Sequence, residues 1–185
     1  NFVGDMKIYK NFEINKNFKR SILAIGNFDG MHKGHQKVLN LALKKAKKEN
    51  LKCGILSFEP SPFIFFTKNK NHNLYSLSQK ISFFKKKKVD FFIVKKFDKK
   101  FRCIPYKEFI KKILFKKLNI KYIFISKNFK FGKNRKGDVK SLKKYENKFG
   151  FISFITKPFK VDGKIISSTI IRKFIKEGNI LKANK

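Results

Sequence analysis

The residues in this chain whose types and spacing best suit chemistry are two histidines, His32 and His35, within the stretch SILAIGNFDGMHKGHQ at 21–36. Apolar residues before them predict a short buried strand, a turn with two glycines follows, and the pattern becomes helical from Gly34. In this geometry, backbone N–H groups and a helix N-terminus face a phosphate. Because two histidines three residues apart at a helix start lie on one face, both can reach the same anion. The stretch therefore predicts a phosphate-binding site.

Two other interpretations of the histidine pair stay open. His-x-x-His can form half of a metal site, but the other candidate ligands, His72, Cys53 and Cys103, are scattered singly, and zinc usually takes three or four ligands. The two histidines can also be merely structural. The GxxxG turn is a weak signal by itself, since it lacks the spacings of the dinucleotide-binding and P-loop motifs. We predict no protein ligand to a metal, and we expect His72, in the polar segment 67–73, to be inert.

The chain is strongly basic, with a formal net charge of +35 over 185 residues. Only four of the 47 basic residues are arginines, the type that usually forms specific forks to phosphates or nucleic-acid bases. The lysines are spread along every segment, which indicates a composition bias at exposed positions more than one binding patch. Non-specific, salt-sensitive attraction to nucleic acid would follow from such a charge. We therefore predict no specific nucleic-acid partner.

Length and cysteine use bound the class of protein. The chain is long enough for one α/β domain with a real core. Its two cysteines lie far apart and give no disulfide framework, which favours a reducing cytoplasm. No apolar run reaches the roughly 18 residues of a membrane span, and the first ten residues resemble neither a signal peptide nor a transit peptide. We expect a cytoplasmic protein with no membrane partner.

Strands and helices alternate in the predicted secondary structure. The predicted strands span 22–25, 51–58, 91–94, 122–125 and 151–155, and the predicted helices span 34–49, 77–88, 105–118, a segment that ends at 149 and a last one that begins near 169. This alternation predicts an α/β fold in which helices cover both faces of a parallel sheet. Ligands bind such sheets at the carboxyl ends of the strands, near the point where the strand order reverses. The Gly/His turn, the loop 59–62 and the loop 126–138 each follow a strand, so we expect them to converge on one crevice.

Two further motifs carry residues that suit a polyphosphate. The loop NFKFG at 128–132, with Arg135 after it, combines aromatic residues and a glycine with one of the four arginines. The segment ISSTIIR at 166–172 places hydroxyls at a predicted helix start and Arg172 one turn later. Alone, the first can be an ordinary surface loop and the second a plain N-cap. Beside the Gly/His turn, the hydroxyls and the arginine look like a clamp for a second part of a polyphosphate.

Four motifs, taken in order, resemble those of the bacterial FAD synthetase family, the FMN adenylyltransferase module of bifunctional riboflavin kinase/FAD synthetases: GNFDGMHKGHQ, SFEPSPFIFF, NFKFGKNRKGD and ISSTIIR. The resemblance covers about residues 6–185. The first motif alone indicates only the wider nucleotidylyltransferase superfamily, whereas NFKFGKNRKGD together with FEPSP selects the flavin branch. The resemblance implies a Rossmann-like nucleotidylyltransferase fold and the transfer of AMP from ATP to FMN, which yields FAD and pyrophosphate. It also implies Mg²⁺ that accompanies ATP and is held mostly by phosphate oxygens and water.

The resemblance further implies roles for individual residues. The implied nucleotide-binding residues are Gly26, Asn27, Phe28, Asp29, Gly30, His32, His35, Ser168, Thr169 and Arg172. The implied FMN-binding residues are Phe58, Glu59, Pro60, Pro62, Asn128, Phe129, Phe131 and Arg135. The implied catalytic set is His32, His35, Asn128, Ser168, Thr169 and Arg172. We expect the histidines near the α-phosphate of ATP, and Ser168, Thr169 and Arg172 near its β- and γ-phosphates. Asp29 can either contact the nucleotide or structure the turn.

The chain departs from the family pattern at three motif positions. Ser61 stands where the family usually has the His of FEPHP, Ile170 replaces the first Arg of SSTRIR, and Ser126 replaces a common Gly. We expect these departures to affect substrate affinity more than reaction type.

Family members usually continue into a riboflavin kinase domain, and this chain stops where the join would begin. We expect 1–20 to be an N-terminal extension and lead-in and 21–185 to be the FMN adenylyltransferase domain, with the riboflavin kinase domain absent from this chain. Two other functions stay open. One is a related nucleotidylyltransferase with another phosphomonoester acceptor, and the other is a basic nucleic-acid-binding module.

Overall fold

Six parallel strands form the central sheet in the computed structural model, which describes residues 5–69, 72–161 and 164–179. The strands are β1 (Lys7–Tyr9), β2 (Ile22–Ile25), β3 (Cys53–Phe58), β4 (Phe91–Lys95), β5 (Tyr122–Ser126) and β6 (Ile152–Thr156). Their order across the sheet is β1-β4-β3-β2-β5-β6, and every neighbouring pair is parallel. The predicted α/β class and parallel sheet are confirmed, and each of the five predicted strands is present within two residues of its predicted bounds.

The edge strand β1 is an addition to the predicted strands. It pairs in parallel with β4, with Lys7 opposite Phe91 and Tyr9 opposite Ile93. The strand lies in the segment 1–20 that we predict as an extension and lead-in, so part of that segment belongs to the sheet. The division of the chain at residue 20 stays a prediction.

Helices connect the strands and cover the sheet. They are α1 (Lys33–Glu49), α2 (Pro62–Thr67), α3 (Leu77–Lys86), α4 (Lys99–Arg102), α5 (Tyr106–Glu108), α6 (Val139–Phe149) and α7 (Ser168–Lys176). Helix α5 continues directly as a π-helical segment over Phe109–Lys117, short 3₁₀ turns lie at Lys16–Phe18 and Lys133–Arg135, and an antiparallel pair, β7 (Lys160–Val161) and β8 (Lys164–Ile165), follows β6. None of the helices in the described part of the chain combines the length and the apolar character that a bilayer crossing requires.

Helices α2 and α4 are short and were not predicted. Helix α2 begins after Ser61, whose Oγ accepts a hydrogen bond from the backbone N–H of Ile64 at 3.3 Å. Pro62 occupies the first helical position, where its missing N–H costs nothing. Helix α4 begins after Asp98, whose Oδ1 accepts from the N–H of Phe101 at 2.7 Å. In both cases a capping side chain starts a helix that is too short to show an apolar period in the sequence.

The sheet divides the core into two layers. Because side chains alternate along a strand, Ile22 and Ala24 of β2 face one layer, and Leu23 and Ile25 face the other. All four are buried, which explains why β2 is an uninterrupted apolar run. The first layer contains the buried apolar residues of α1 and α3, and the second contains those of the π-helical segment and α6.

The strand order reverses at β2. From β2 the chain continues to β3 and β4 on one side, and it later returns to β5 and β6 on the other side. Connections that leave neighbouring strands in opposite directions open a crevice at the carboxyl ends of β2 and β5. Residues just after Ile25 and Ser126 are therefore placed where a ligand would enter.

Candidate active site

A cavity of about 300 Å³ opens at the carboxyl ends of β2 and β5. Ten of the residues predicted for the site line it: Gly26, Asn27, Phe28, Asp29, His35, Asn128, Phe129, Arg135, Ser168 and Arg172. They come from three separate segments, namely the turn after β2 with the start of α1, the loop after β5, and helix α7. The Gly/His turn and the Asn128 loop thus meet at one crevice, as the sequence predicted.

The turn after β2 uses backbone conformations that few side chains adopt. Phe28, Gly30 and Met31 have φ angles of +49°, +71° and +42°. A β-carbon at Gly30 would lie 2.7 Å from Leu74 Cδ1, so the Leu74 side chain would have to shift, and the positive φ by itself favours glycine at this position. Phe28 is 1% exposed, and its ring packs edge-on against Phe84 of α3 with the centroids 5.6 Å apart. This apolar anchor fixes the turn at the floor of the cavity.

His32 and His35 form one stacked unit at the start of α1. His32 is the N-cap, and its Nδ1 accepts a hydrogen bond from the backbone N–H of His35 at 3.3 Å. The two rings stack with their centroids 3.7 Å apart. A β-carbon at Gly34 would lie 3.0 Å from the His32 ring, so glycine leaves room for this arrangement. Since Nδ1 of His32 acts as an acceptor, the ring carries its proton on Nε2.

Both imidazoles are uncharged at neutral pH. Burial lowers the pKa of His32 to about 4, and the nearby Arg172 acts in the same direction while Asp29 opposes both. Burial also lowers the pKa of His35 well below its ordinary value, and the neighbouring His32 and Lys80 lower it further. Among the described residues, Nδ1 of His35 is buried without a hydrogen-bond partner. The pair therefore offers neutral N–H donors, not fixed positive charges.

Asp29 joins the turn to two other segments of the chain. The residue is buried, with its side chain 7% exposed, and Oδ1 accepts hydrogen bonds from the backbone N–H groups of Leu74 at 2.8 Å and Tyr75 at 3.0 Å. Its Oδ2 forms an ion pair with Nη2 of Arg172. Since both carboxylate oxygens are occupied by the protein, the alternative that Asp29 structures the turn has direct support.

Helix α7 brings its first turn against the β2 turn. Ser168 Oγ donates to the backbone carbonyl of Asp29 at 2.8 Å, and Nε of Arg172 donates to the carbonyl of His72 at 2.9 Å. Ser167 is the N-cap, since its Oγ accepts from the N–H of Ile170 at 3.4 Å. The predicted helix start, with a hydroxyl and an arginine, is thus present beside the turn after β2.

The loop after β5 forms the opposite wall. Asn128, Phe129, Lys130 and Arg135 line the cavity there. The loop is closed by a bridge between Phe131 and Gly137, whose backbone groups exchange hydrogen bonds of 3.0 and 2.9 Å. This wall supplies an amide, an aromatic ring and two cations.

A second cavity of about 50 Å³ adjoins the first and shares Phe129 and Lys130 with it. Phe58 and Phe131, which the sequence predicted for the FMN side, line this second cavity. Half of its remaining lining residues are aromatic, and these are Phe97, Phe101 and Phe109. Of the eight predicted flavin residues, Asn128, Phe129 and Arg135 thus line the first cavity, and Phe58, Phe129 and Phe131 line the second.

Six predicted residues, all in the described ranges, line neither cavity. They are Gly30, His32, Glu59, Pro60, Pro62 and Thr169. His32 reaches the cavity only through its stack on His35. Glu59, Pro60 and Pro62 flank Ser61, which does line the first cavity, so the loop after β3 contributes through the residue that departs from the family pattern.

Sequence reasoning missed several residues that line the first cavity. They are Ile25, Val38, Ser61, Phe63, His72, Ser126 and Lys130. His72 was expected to be inert, yet its ring stacks on Phe63 with the centroids 3.8 Å apart and its carbonyl holds Arg172. No signal in the sequence distinguishes it, because its hydrogen bond uses the backbone and its loop is polar. Ser61 had a signal, since it stands between two prolines directly after a strand.

The cavity suits an anion better than a metal ion. Lys130, Arg135 and Arg172 bring positive charge to its walls, and its carboxylate, Asp29, is already paired. Within the described ranges, no group of three or more histidine, cysteine, aspartate or glutamate side chains is placed to hold a metal. A divalent cation at this site would need most of its ligands from a bound phosphate and water.

The sequence of this chain is similar to known proteins over most of its length. A family model described as FAD synthetase matches residues 14–170. A bifunctional riboflavin kinase/FMN adenylyltransferase from Buchnera aphidicola subsp. Schizaphis graminum is 40% identical over 176 residues, which are 94% of this chain and 55% of that protein. A relative of the same description from Haemophilus influenzae is 41% identical over 82% of this chain and 49% of its own length. Another from Escherichia coli K12 is 33% identical over 88% of this chain and 52% of its own length. The chain spans about half the length of these curated relatives.

Solved structures also resemble the fold. A protein described as a macrolide-efflux protein from Streptococcus pneumoniae has a TM-score of 0.83 at 27% identity, over 96% of this chain and 59% of that one. A pantoate-beta-alanine ligase from Francisella tularensis has a TM-score of 0.58 at 15% identity, over 95% of this chain and 77% of that one, a likeness that concerns the fold alone. These neighbours agree with the predicted Rossmann-like nucleotidylyltransferase fold.

Proposed function

The chain belongs to the FAD synthetase family, and on that premise we propose that it transfers AMP from ATP to the phosphate of FMN, which yields FAD and pyrophosphate. The observation that carries this proposal is the meeting of three segments at one cavity: the histidine pair at the start of α1, the loop of Asn128, and the start of α7 with Arg172. The curated relatives named above are described as FMN adenylyltransferases, which supports the same substrates.

The proposed reaction needs placement more than proton transfer. A phosphate oxygen of FMN attacks the α-phosphorus of ATP, the bond from that phosphorus to the oxygen bridging to the β-phosphorus breaks, and pyrophosphate leaves with that oxygen. A phosphate monoester has a second pKa near ~6, so the FMN phosphate is already anionic at pH 7 and needs no general base. The site must hold both phosphates in line and stabilise charge on the leaving group.

We assign the α-phosphate to the start of α1. His35 lies at the cavity wall and is uncharged, so its N–H donor and the N-terminus of α1 would stabilise charge that grows on the α-phosphate. His32 stays in the proposed set as a residue that fixes the ring of His35 through the stack and the helix cap. Asn128 faces them from the opposite wall with an amide donor.

We assign the β- and γ-phosphates to the start of α7. Arg172 uses Nε and Nη2 in contacts with His72 and Asp29, which leaves further N–H donors of its guanidinium for an anion. Ser168 stands beside it at the cavity wall, and Thr169 is exposed on the same helix turn. The leaving pyrophosphate would then depart along a helix N-terminus, which favours negative charge.

We assign FMN to the side of the cavity formed by Phe129 and Arg135, with Phe58 and Phe131 behind it. The isoalloxazine ring is larger than the 50 Å³ second cavity, so FMN binding requires aromatic side chains there to move apart. Phe129 is the residue best placed to move, since it separates the two cavities.

Mg²⁺ enters this proposal as part of the ATP substrate, held by phosphate oxygens and water. Mg²⁺ binds ATP in this way at sites where it keeps several waters and takes few protein ligands. We also propose a riboflavin kinase domain or protein as the source of FMN, because the relatives carry that activity in their descriptions.

We propose a reducing cytoplasm as the location of the chain, and the free thiols of Cys53 and Cys103 suit such a compartment.

The direct test is to incubate the purified chain with FMN, ATP and Mg²⁺ and to detect FAD and pyrophosphate by chromatography. We expect FAD in proportion to enzyme, and no dinucleotide when CTP replaces ATP. A folded chain that binds ATP but makes a product only with a different phosphomonoester would assign the chain to a related transferase. Salt-sensitive binding of RNA or DNA with no pyrophosphate release would favour the nucleic-acid-binding alternative.

A further inference from the structure

A third cavity, of about 590 Å³, lies behind the aromatic wall of the second cavity. Phe101 and Ile104 line both, so these two side chains form the partition between the second and third cavities. The other walls of the third cavity include Phe12, Lys95 and Cys103. The function proposed above assigns no role to this space.

The second cavity is closed by aromatic rings that contact one another. The centroid of the Phe101 ring lies 5.5 Å from that of Phe58 and 5.8 Å from that of Phe97, and all three rings line the cavity. Protein interiors are packed as densely as organic crystals, so such a wall cannot be compressed to admit an isoalloxazine ring. Phe129 lies between the first and second cavities, so its movement opens the entrance and adds no depth. The room must come from a side chain with open space behind it, and the third cavity lies behind Phe101 and Ile104.

Of these two side chains, that of Phe101 is the freer to move. The main chain around it is held, because Oδ1 of Asp98 accepts from the N–H of Phe101 at 2.7 Å and the carbonyl of Ile104 accepts from the N–H of Lys133 at 2.7 Å. Rotation between staggered side-chain conformers swings a phenylalanine ring without moving this backbone. Ile104 is branched at its β-carbon, which restricts the corresponding rotation.

The third cavity offers the displaced ring suitable neighbours. The ring centroid of Phe12 lies 6.0 Å from that of Phe101, and Nζ of Lys95 lies 5.8 Å from both centroids. A ring that turns toward them keeps an aromatic and a cationic contact. The isoalloxazine would then replace the Phe101 ring against Phe58 and Phe97. Both aromatic groups therefore have partners after the exchange.

We propose that Phe101 is the movable wall of the flavin site: its ring turns from the second cavity into the third when FMN binds, and the isoalloxazine occupies the space that the ring leaves. This inference rests on the proposed function, and in particular on FMN as the acceptor. Since FMN binding places the Phe101 ring in the third cavity, a group that already fills that cavity must weaken FMN binding. Such coupling is reciprocal, so bound FMN must disfavour occupation of the third cavity.

A reversible thiol label tests this coupling. Cys103 is exposed at the third cavity, whereas Cys53 is buried, so benzyl methanethiosulfonate should label Cys103 alone. The Cys103 thiolate attacks the reagent, a benzyl disulfide forms on the protein, and methanesulfinate leaves. We expect the label to raise the Kd for FMN, measured from flavin fluorescence without turnover, by at least about fivefold, and to leave the Kd for ATP unchanged. A reductant that removes the label should restore FMN binding.

Two control variants separate the position of the label from its chemistry. Cys103→Ser treated with the same reagent should bind FMN like the untreated chain. Cys103→Ser combined with Ser78→Cys carries the label at an exposed position of α3 that lines none of the three cavities, and it should also bind FMN normally. In the wild-type chain, saturating FMN should slow the labelling of Cys103, because the Phe101 ring then occupies the cavity.

Phe101→Leu tests whether the ring carries the coupling. Its smaller side chain leaves room for both the label and FMN, so the label should change the Kd for FMN in this variant by less than about twofold. A label that leaves FMN binding of the wild-type chain unchanged would overturn the proposal, as would one that weakens FMN and ATP binding alike or one that acts equally in Phe101→Leu. If Phe101→Leu does not fold, the labelled and unlabelled wild-type chains still decide.

The proposed function can fail separately from this inference. A chain that binds FMN but makes no FAD disproves the proposed reaction, whereas the comparison of Kd values still tests Phe101. A chain that binds no FMN overturns both.

Discussion

Asp29 and Arg172 lie 143 residues apart in the chain and form an ion pair beneath the candidate active site. The same carboxylate accepts two backbone N–H groups from the segment before α3, and the same guanidinium donates to the carbonyl of His72. One buried pair therefore connects the turn after β2, the segment before α3, and α7. This contact brings together the two distant motifs from which we predict a phosphate clamp.

The Asp29–Arg172 pair should stabilise the fold as well as the site. Asp29→Ala leaves the N–H groups of Leu74 and Tyr75 and the guanidinium of Arg172 without their acceptor, so we expect the free energy of unfolding to fall by about 2–4 kcal/mol. Urea denaturation measures the change. The control is Glu177→Gln, which removes an exposed ion pair with Lys173 of α7. This change should lower the free energy of unfolding by less than ~0.5 kcal/mol. Equal losses in the two variants would contradict a structural role for Asp29.

His35 should contribute to turnover with little effect on stability. Its Nδ1 makes no hydrogen bond to a described residue, so His35→Gln removes a donor for the reacting phosphate, and inside the protein it removes the contact with the backbone of Asp29 and the stack on His32. We expect kcat to fall by about 10²–10³, as for other charge-directed donors, while the circular dichroism spectrum stays unchanged. Arg172→Ala should lower kcat by a similar factor, with an added loss of stability. Normal turnover of a folded His35→Gln chain would remove His35 from the proposed catalytic set.

Acidification should destabilise the fold before carboxylates titrate. The pKa of His32 is about 4 in the folded chain and that of His35 is also low, whereas an unfolded histidine titrates near ~6.5. Between these values the unfolded state binds more protons, so stability is lost as the pH falls from about 6.5 towards 4, by up to ~1.4 kcal/mol per pH unit for each histidine. Urea midpoints at pH 7 and pH 5 measure this loss. A His32→Gln, His35→Gln double variant should show a flatter pH dependence, and the same slope as wild type would disprove the assignment.

A substitution at Gly132 tests whether FMN binding depends on the conformation of the loop after β5. It has a φ of +73°, and a β-carbon there would lie 2.6 Å from the backbone of Tyr106. Gly150 is the control, because it also has a positive φ, +68°, but a β-carbon added there would meet no atom of a described residue within 4 Å. Gly150→Ala therefore measures only the backbone strain of alanine at positive φ, which should lower the free energy of unfolding by about 1 kcal/mol. We expect Gly132→Ala to cost about 2 kcal/mol more and to raise the KM for FMN, because the loop that carries Phe129 must shift. Matching KM values for both variants would show that this loop does not hold FMN.

The sequence predicted those elements whose patterns are long or uniform. Strand β2 is apolar on both faces because it lies at the centre of the sheet, and α1 has a continuous apolar stripe. Strand β1 has three residues and α4 has four, which is too short for either period to appear. The helix predicted at 105–118 is π-helical from Phe109 to Lys117, a difference that residue spacing does not reveal.

At the site, the motifs predicted which segments lie together, but they did not predict which of their residues would line the cavity. Sequence reasoning placed His32 and His35 together, and only the stack and the cap distinguish the ring at the cavity from the ring behind it. His72 contributes a backbone carbonyl, and Phe101 is one of 24 phenylalanines, so neither is marked by its residue type. Ser61 differs from the usual family residue and still lines the cavity as a helix cap.

Because α7 lies near the end of the described residues, the sheet can form before the site does. All six strands of the central sheet are complete by Thr156, whereas Ser168 and Arg172 of the clamp follow later in the chain. On a translating ribosome, N-terminal segments fold first, so the sheet can assemble around β2 while the site still lacks one wall. Competence for the proposed reaction is therefore acquired late, when α7 emerges and docks on Asp29.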